Sequence, residues 1–254
     1  MDTPTQQQLH GAVRDHYERI ILAEPASCCD SDCDCGNDLY QADTTALPLT
    51  ITQTSLGCGD PITLASLKPG QTVLDLGSGA GMDCFLAAER VGPTGHVIGI
   101  DMTPAMLAKA NSNKAKLGVE QVEFRQGQIE ELPVADNVVD VIISNCVINL
   151  APDKRPVFQE ALRVLKPGGR LAVSDMVTLG RFAPEKRADV KAWSECITGA
   201  EAVADLVQMM AHAGFERISV RDKSAPEVEL AGAPLPTNEP ARLFSAQISA
   251  YKPA

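Results

Sequence analysis

The chain has 254 residues, enough for one sizeable domain with an elaboration, and at 44% hydrophobic it can bury a core. Its formal net charge of −11 argues against nucleic acid and anionic lipid as partners, because both need a basic surface. No apolar stretch is long enough to span a bilayer, and the polar opening Met1 to His10 lacks a secretory signal, so a cytoplasmic location is expected. In that reducing compartment eight cysteines point to metal, catalytic or redox chemistry rather than structural disulfides.

Gln6 to Leu22 carries Leu9, Val13, Tyr17, Ile20 and Ile21 near helical spacing and reads as an amphipathic helix. Ala23 to Pro48, rich in Cys, Asp and Ser, has no apolar period and reads as a loop or arm. Then strands and helices alternate. Strands are expected at Thr72–Leu76, His96–Asp101, Gln121–Gln126, Val138–Ser144 and Arg170–Met176. Helices are expected at Met82–Arg90, Pro104–Leu117 with Thr103 as cap, and Pro152–Leu165, stopped by the turn Lys166-Pro167-Gly168-Gly169. This alternation implies a doubly wound α/β fold, its mostly parallel sheet covered on both faces. Leu179–Thr198 breaks the rhythm and reads as a partly helical insertion after strand five. A helix over Gly199–Ala213 and strands over Phe215–Asp222 and Arg242–Tyr251 follow, with Lys223–Pro240 between them as an exposed loop. The chain divides into an N-terminal helix and Cys-rich arm (1–60), a cofactor core (61–178) and a segment holding the insertion, the last helix and the last two strands (179–254).

The strongest local signal is Val73-Leu74-Asp75-Leu76-Gly77-Ser78-Gly79-Ala80-Gly81, at a strand-to-helix junction where open α/β sheets bind ligands. Dinucleotide enzymes use a similar turn, so two carboxylates must separate the readings. Asp75, just before the glycines, would repel a pyrophosphate but suit a ligand with an ammonium and a sulfonium. Asp101, at the end of the next strand, can accept both hydroxyls of a ribose. A structural turn with no ligand remains the bland alternative.

The run Asp75–Gly81, the Ile-Gly-Ile-Asp ending at Asp101, Gly127-Gln128-Ile129-Glu130 and Leu165-Lys166-Pro167-Gly168-Gly169 together resemble class I methyltransferases. The resemblance implies a seven-stranded sheet with an antiparallel last strand, and S-adenosylmethionine as cofactor with S-adenosylhomocysteine as product. It implies a binding set of Asp75, Gly77, Ser78, Gly79, Gly81, Asp101 and Met102, with Gln128, Ile129 and Asn145 beside the adenine or methionyl group.

Three cysteines extend the resemblance. Cys146, just past strand four, is by itself either a small hydrophobe or an acceptor-site ligand. Cys58 lies in Gly57-Cys58-Gly59-Asp60-Pro61, and Cys196 lies in the insertion, in Cys-x-x-Gly-Ala. These patterns, with Ser-Asn-Cys-Val-x-Asn-Leu around Cys146 and Lys68-Pro69-Gly70, resemble arsenite methyltransferases. Arsenite and methylarsenite would be the acceptors, because trivalent arsenic is soft and selects thiolates. The resemblance assigns arsenic to Cys146 and Cys196, with Cys58 as a third ligand that leaves or forms a disulfide. An N-terminal cysteine would be its redox partner, and external thiols from glutathione or thioredoxin would reset the enzyme. Cys28, Cys29, Cys33 and Cys35 lack a usual zinc spacing and are interleaved with Asp30, Asp32 and Asp34. They read as an arm that captures arsenite or supplies a disulfide partner, as a structural metal site, or as a tolerated tail. Two competing functions stand beside methylation of arsenic: a methyltransferase for an organic acceptor, and a thiol protein that sequesters arsenite or metal. Cys84, on the helix after the glycine loop, reads as core; Trp193 as packing for the insertion; His10 and His212 as structural or exposed.

Overall fold

The computed structural model describes residues 4–23, 47–52, 57–234 and 240–254. The four cysteines of the N-terminal arm, Cys28, Cys29, Cys33 and Cys35, lie outside the described residues. The first helix, α1 (Gln6–Leu22), starts at a capping box: Gln8 N donates to Thr5 Oγ1 while Thr5 N donates to Gln8 Oε1. Two short helices follow, α2 (Leu49–Thr52) and α3 (Pro61–Ala65). In α3 the Gly-Asp-Pro grammar is a helix start: Asp60 accepts from Thr63 N and Thr63 Oγ1, and Pro61 fills the first turn.

The alternating region forms β1 (Thr72–Leu76), α4 (Met82–Val91), β2 (His96–Asp101), α5 (Pro104–Leu117), β3 (Val122–Gln126), β4 (Val139–Asn145), α6 (Lys154–Val164) and β5 (Leu165–Leu179). The insertion holds α7 (Pro184–Arg187) and α8 (Val190–Ser194), and β6 (Glu201–Ala202), α9 (Val203–Ala213), β7 (Glu216–Asp222), β8 (Ala225–Glu229) and β9 (Arg242–Tyr251) complete the chain. The sheet order is β3-β2-β1-β4-β5-β9-β7-β8, with β6 beside β5. β1 to β5 run parallel, and β9 enters antiparallel between β5 and β7. The expected seven strands are therefore present, with two short ones added.

Strand alternation builds both faces. In β1, Val73 packs with α3 and α4, while Leu74 and Leu76 pack with α6 and α9. Three local expectations change. Residues 223–240 are not all loop, because β8 folds back on β7. The Lys166–Gly169 turn is a bulge inside β5: pairing with β4 jumps from Val139↔Leu165 to Val141↔Arg170, with Gly168 at φ +76°. Thr103 stands at the cap of α5, but its side chain makes no capping bond. Among the described residues no helix is long and apolar enough to cross a membrane.

Candidate functional site: a cofactor cleft beside a cysteine cluster

A cleft of about 1000 Å³ opens at the ends of β1, β2 and β4. The loop after β1 is held by two backbone bonds, from Gly77 N and Ser78 N to Ile100 O at 2.8 and 2.9 Å. Gly77 sits at φ +71°, and a Cβ there would lie 2.4 Å from a Val147 methyl. Gly77→Ala is expected to cost roughly 2–4 kcal/mol, from left-handed backbone plus overpacking. Urea unfolding of the apo-protein checks it.

The cleft receives Gly77, Ser78 and Gly79 from this loop, and Asp101 and Met102 from the end of β2. Gln128 and Ile129 reach it after β3, and Asn145 ends β4 on its rim. Asp101 is fixed by two backbone donors, Gly79 N at 2.9 Å on one oxygen and Thr103 N at 2.8 Å on the other. Burial pushes its carboxyl above the usual range, and these two donors pull it back. Two expected binding residues stand elsewhere. Asp75 is 2% exposed behind the loop, accepts the Cys84 thiol at 3.2 Å, and does not line the cleft. Burial and the neighbouring Asp83 push it well up, so it is a poor partner for a ligand cation. Gly81 does not line the cleft either. It caps α4 at φ +94°, where a Cβ would strike Phe124 and Phe85, so glycine is needed there for packing.

Of the two aspartates that flank the glycine turn, the one that lines the cleft is Asp83, in the first turn of α4, with Asn145 Nδ2 donating to it at 3.3 Å. Nothing in the sequence separates Asp83 from Asp75, since both flank the same turn. Helix α1 supplies His10, Val13 and Tyr17 to the opposite wall, and His10 pairs with Glu130 at 2.8 Å. The helical period shows that this face of α1 is buried, but it does not name what covers it. Among the described residues no lysine or arginine lines the cleft. A pyrophosphate would meet the carboxyl groups of Asp101 and Asp83 there, whereas a ligand with a ribose and positive charges is suited to them.

Next to the cleft, Cys58, Cys146 and Cys196 share one packed cluster with Leu9, Val13, Tyr17 and Trp193. Cys58 and Cys146 are joined by a disulfide. The N-terminal cysteines expected as redox partners of Cys58 lie outside the described residues; among the described residues its sulfur is bonded to Cys146, the neighbour that β4 brings beside it. Cys84 and Cys196 are the free thiols among the described residues. Cys84 is fully buried core, and Cys196 donates to Cys146 O at 2.9 Å with the Tyr17 hydroxyl 3.8 Å from its sulfur. Both Cys146 (φ +58°) and Cys196 (φ +59°) have left-handed backbone, which costs a non-glycine residue about 1–2 kcal/mol and clusters at functional sites.

Each thiol has its own mount. Asn145 Oδ1 accepts from Cys58 N and Gly59 N, and Asn145 Nδ2 donates to Gly59 O, so the end of β4 clamps the Cys58 loop. Ser245 Oγ and Lys223 Nζ both donate to Cys58 O from the far side. Trp193 Nε1 donates to Leu150 O and ties α8, and with it Cys196, to the turn after Cys146. Burial pushes the Cys196 thiol up to about 12. Beneath the cluster lies Asp175 of β5, whose carboxylate is within 4.8 Å of the Cys58 and Cys146 sulfurs. Asn149 N and Met176 N donate to Asp175, and burial raises it to about 7. The buried ammonium of Lys154 lies 3.7 Å from Glu201 and 5.3 Å from the Trp193 ring.

Comparison with known proteins agrees with this geometry. A methyltransferase-domain family model matches residues 67–214. An arsenite methyltransferase of Halobacterium salinarum is 49% identical over 215 residues, 85% of this chain and 55% of its own length. One from Homo sapiens is 42% identical over 152 residues, 56% of this chain and 40% of its own length. The chain spans about half the length of the curated relatives it matches. Among solved structures, an arsenic(III) S-adenosylmethionine methyltransferase from Chlamydomonas reinhardtii superposes with a TM-score of 0.69 at 36% identity, over 82% of this chain and 71% of that one. With glycine loop, acidic cleft and thiol cluster in one frame, the chain belongs to the arsenite S-adenosylmethionine methyltransferases of the methyltransferase-domain family.

Proposed function

We propose that the chain transfers a methyl group from S-adenosylmethionine to trivalent arsenic held by Cys58, Cys146 and Cys196. The observation that carries this reading is the meeting of three cysteines, from positions 58, 146 and 196, against the wall of an acidic cleft. S-adenosylmethionine supplies an electrophilic methyl group on a sulfonium. Asp101 would hold the ribose hydroxyls and Asp83 the ammonium, while Ile129 and Met102 wall an adenine. The glycines at 77 and 79 let the ligand approach the backbone. Asp75 supports the loop from behind rather than touching the ligand.

The thiols need no general base. When As(OH)3 meets three thiols, each thiol proton leaves with an arsenic hydroxide as water, so Cys196 can bind arsenic from its protonated state. Three sulfurs leave the arsenic lone pair on the open side of a pyramid, and the chain's task is to aim it. The Asn145 clamp and the Trp193 tie would do that from two sides. The disulfide must first be opened, which takes two electrons from an external thiol of the glutathione or thioredoxin class. Cys28, Cys29, Cys33 and Cys35 would serve as exchange partners in that cycle or capture arsenite for it.

The test is one incubation of reduced protein with arsenite and methyl-labelled S-adenosylmethionine, with arsenic species separated by chromatography and mass detection. Labelled methylarsenicals are expected from the reduced protein, turning over repeatedly only with thiol reductant present, and none from protein left in its disulfide form. Transfer that is equally fast in oxidised protein would remove the thiol cluster from the mechanism. Labelled cofactor consumed without arsenic product would return the reading to an organic acceptor.

A further inference from the structure

The reaction moves a positive charge, and one side chain stands where it arrives. As the arsenic–carbon bond forms from the arsenic lone pair, the carbon–sulfur bond breaks and its electron pair returns to sulfur. The sulfonium becomes a neutral thioether. Arsenic, neutral with three thiolates, becomes a four-coordinate cation, formally oxidised from As(III) to As(V). A fixed anion near arsenic, and farther from the sulfonium, therefore lowers the barrier.

We propose that the Asp175 carboxylate is the counter-ion for the charge that appears on arsenic, a role that rests on the reading of arsenic as acceptor. Its oxygen lies within 4.8 Å of both the Cys58 and Cys146 sulfurs, so an arsenic bridging them sits against it. Asp175 does not line the cofactor cleft, which Asp83 and Asp101 face, so it favours the product side over the sulfonium. The carboxylate is pre-organised: Met176 N donates at 2.8 Å to one oxygen and Asn149 N at 3.2 Å to the other. At 2% exposure it has little water to screen it. Lys154, the nearest buried cation, is already occupied by Glu201 at 3.7 Å and by the carbonyls of Ala151 and Asn149. Among the described residues Lys154 acts on Asp175 through space without pairing with it, so no contact ion pair neutralises the carboxylate.

The experiment is single-turnover methyl transfer in reduced full-length protein preloaded with arsenite and labelled S-adenosylmethionine, with equilibrium affinities for both measured separately. Asp175→Asn is expected to slow the transfer about a hundredfold while both affinities stay within about threefold, since neutral bound arsenite gains nothing from the charge. Asp175→Glu should recover much of the rate. A merely structural role would lower arsenite affinity together with the rate, and would be damaged as much by Glu as by Asn. Should the Asn variant not fold, Asp175→Glu against Asp175→Gln gives the same comparison on one side-chain length. A rate within about threefold of the unaltered protein for the neutral variant overturns the proposal, as does loss of arsenite affinity in step with rate. If the unaltered protein itself transfers no methyl to arsenite, the acceptor assignment fails first, and this proposal with it.

Discussion

Cys196→Ser lowers methyl transfer to arsenite by on the order of a thousandfold or more, while S-adenosylmethionine still binds within about threefold of its usual affinity. The substitution is mild for the fold. Serine is nearly isosteric, and its hydroxyl can take over the bond that the thiol donates to Cys146 O at 2.9 Å. The insertion stays tied by Trp193 Nε1 on Leu150 O. What changes is softness: an oxygen cannot replace sulfur as a ligand for trivalent arsenic, and two sulfurs do not fix the direction of the lone pair. Cys196 does not line the cofactor cleft, so cofactor affinity is the internal control. Calorimetry with S-adenosylhomocysteine and turnover with labelled cofactor give the two numbers. Retention of more than about a tenth of the activity would mean that Cys196 is core and that arsenic is held elsewhere.

The parts of this site that were legible in the sequence are those fixed by local chemistry. β1, β2 and β9 occupy the residues expected from their apolar patterns, as do helices α1 and α5. Backbone demands also read locally, since a glycine turn between a strand and a helix is visible without a fold. The errors concern which of two local candidates faces outward. Asp75 and Asp83 lie eight positions apart around one turn, and only packing decides that Asp75 accepts the Cys84 thiol while Asp83 looks into the cleft. The same holds for α1. Leu9 and Val13 announce a buried face, but its neighbours are Cys146 and Cys196, and the His10–Glu130 pair joins residues 120 positions apart. The Cys58–Cys146 disulfide spans 88 positions and follows from the register of β4 and the Asn145 clamp, neither of which a spacing rule contains. Asp175 is the most consequential residue that the sequence did not mark. A lone Asp within a mostly apolar strand is ordinary until the two sulfurs are placed beside it.

Asp175 also has a measurable cost to the fold, and its sign is fixed. Burial raises its carboxyl from 3.8 to about 7 in the folded protein. A folded-state value above the unfolded one means that the folded state binds the proton more tightly. The associated stability is complete below about pH 4 and is lost as pH rises through about 7. A shift of roughly three units corresponds to about 4 kcal/mol at full ionisation. Asp175→Asn removes that ionisation. The amide offers a single acceptor to Asn149 N and Met176 N, which offsets about 1 kcal/mol. With the Cys58–Cys146 disulfide closed, the apo variant is therefore expected to be up to about 3 kcal/mol more stable than the unaltered protein above pH 7, and no more stable near pH 4. Urea midpoints across that range measure the difference directly. Asp75 and Asp101 are also raised by burial, but they are present in both proteins and cancel in the comparison. Parallel stability curves for the two proteins would show that the buried carboxylate carries no such cost. Diverging curves would place the penalty to the resting fold on the same residue that is proposed to supply the counter-charge for methyl transfer. The substitution that strengthens the protein above neutral pH would then be the one that slows its chemistry.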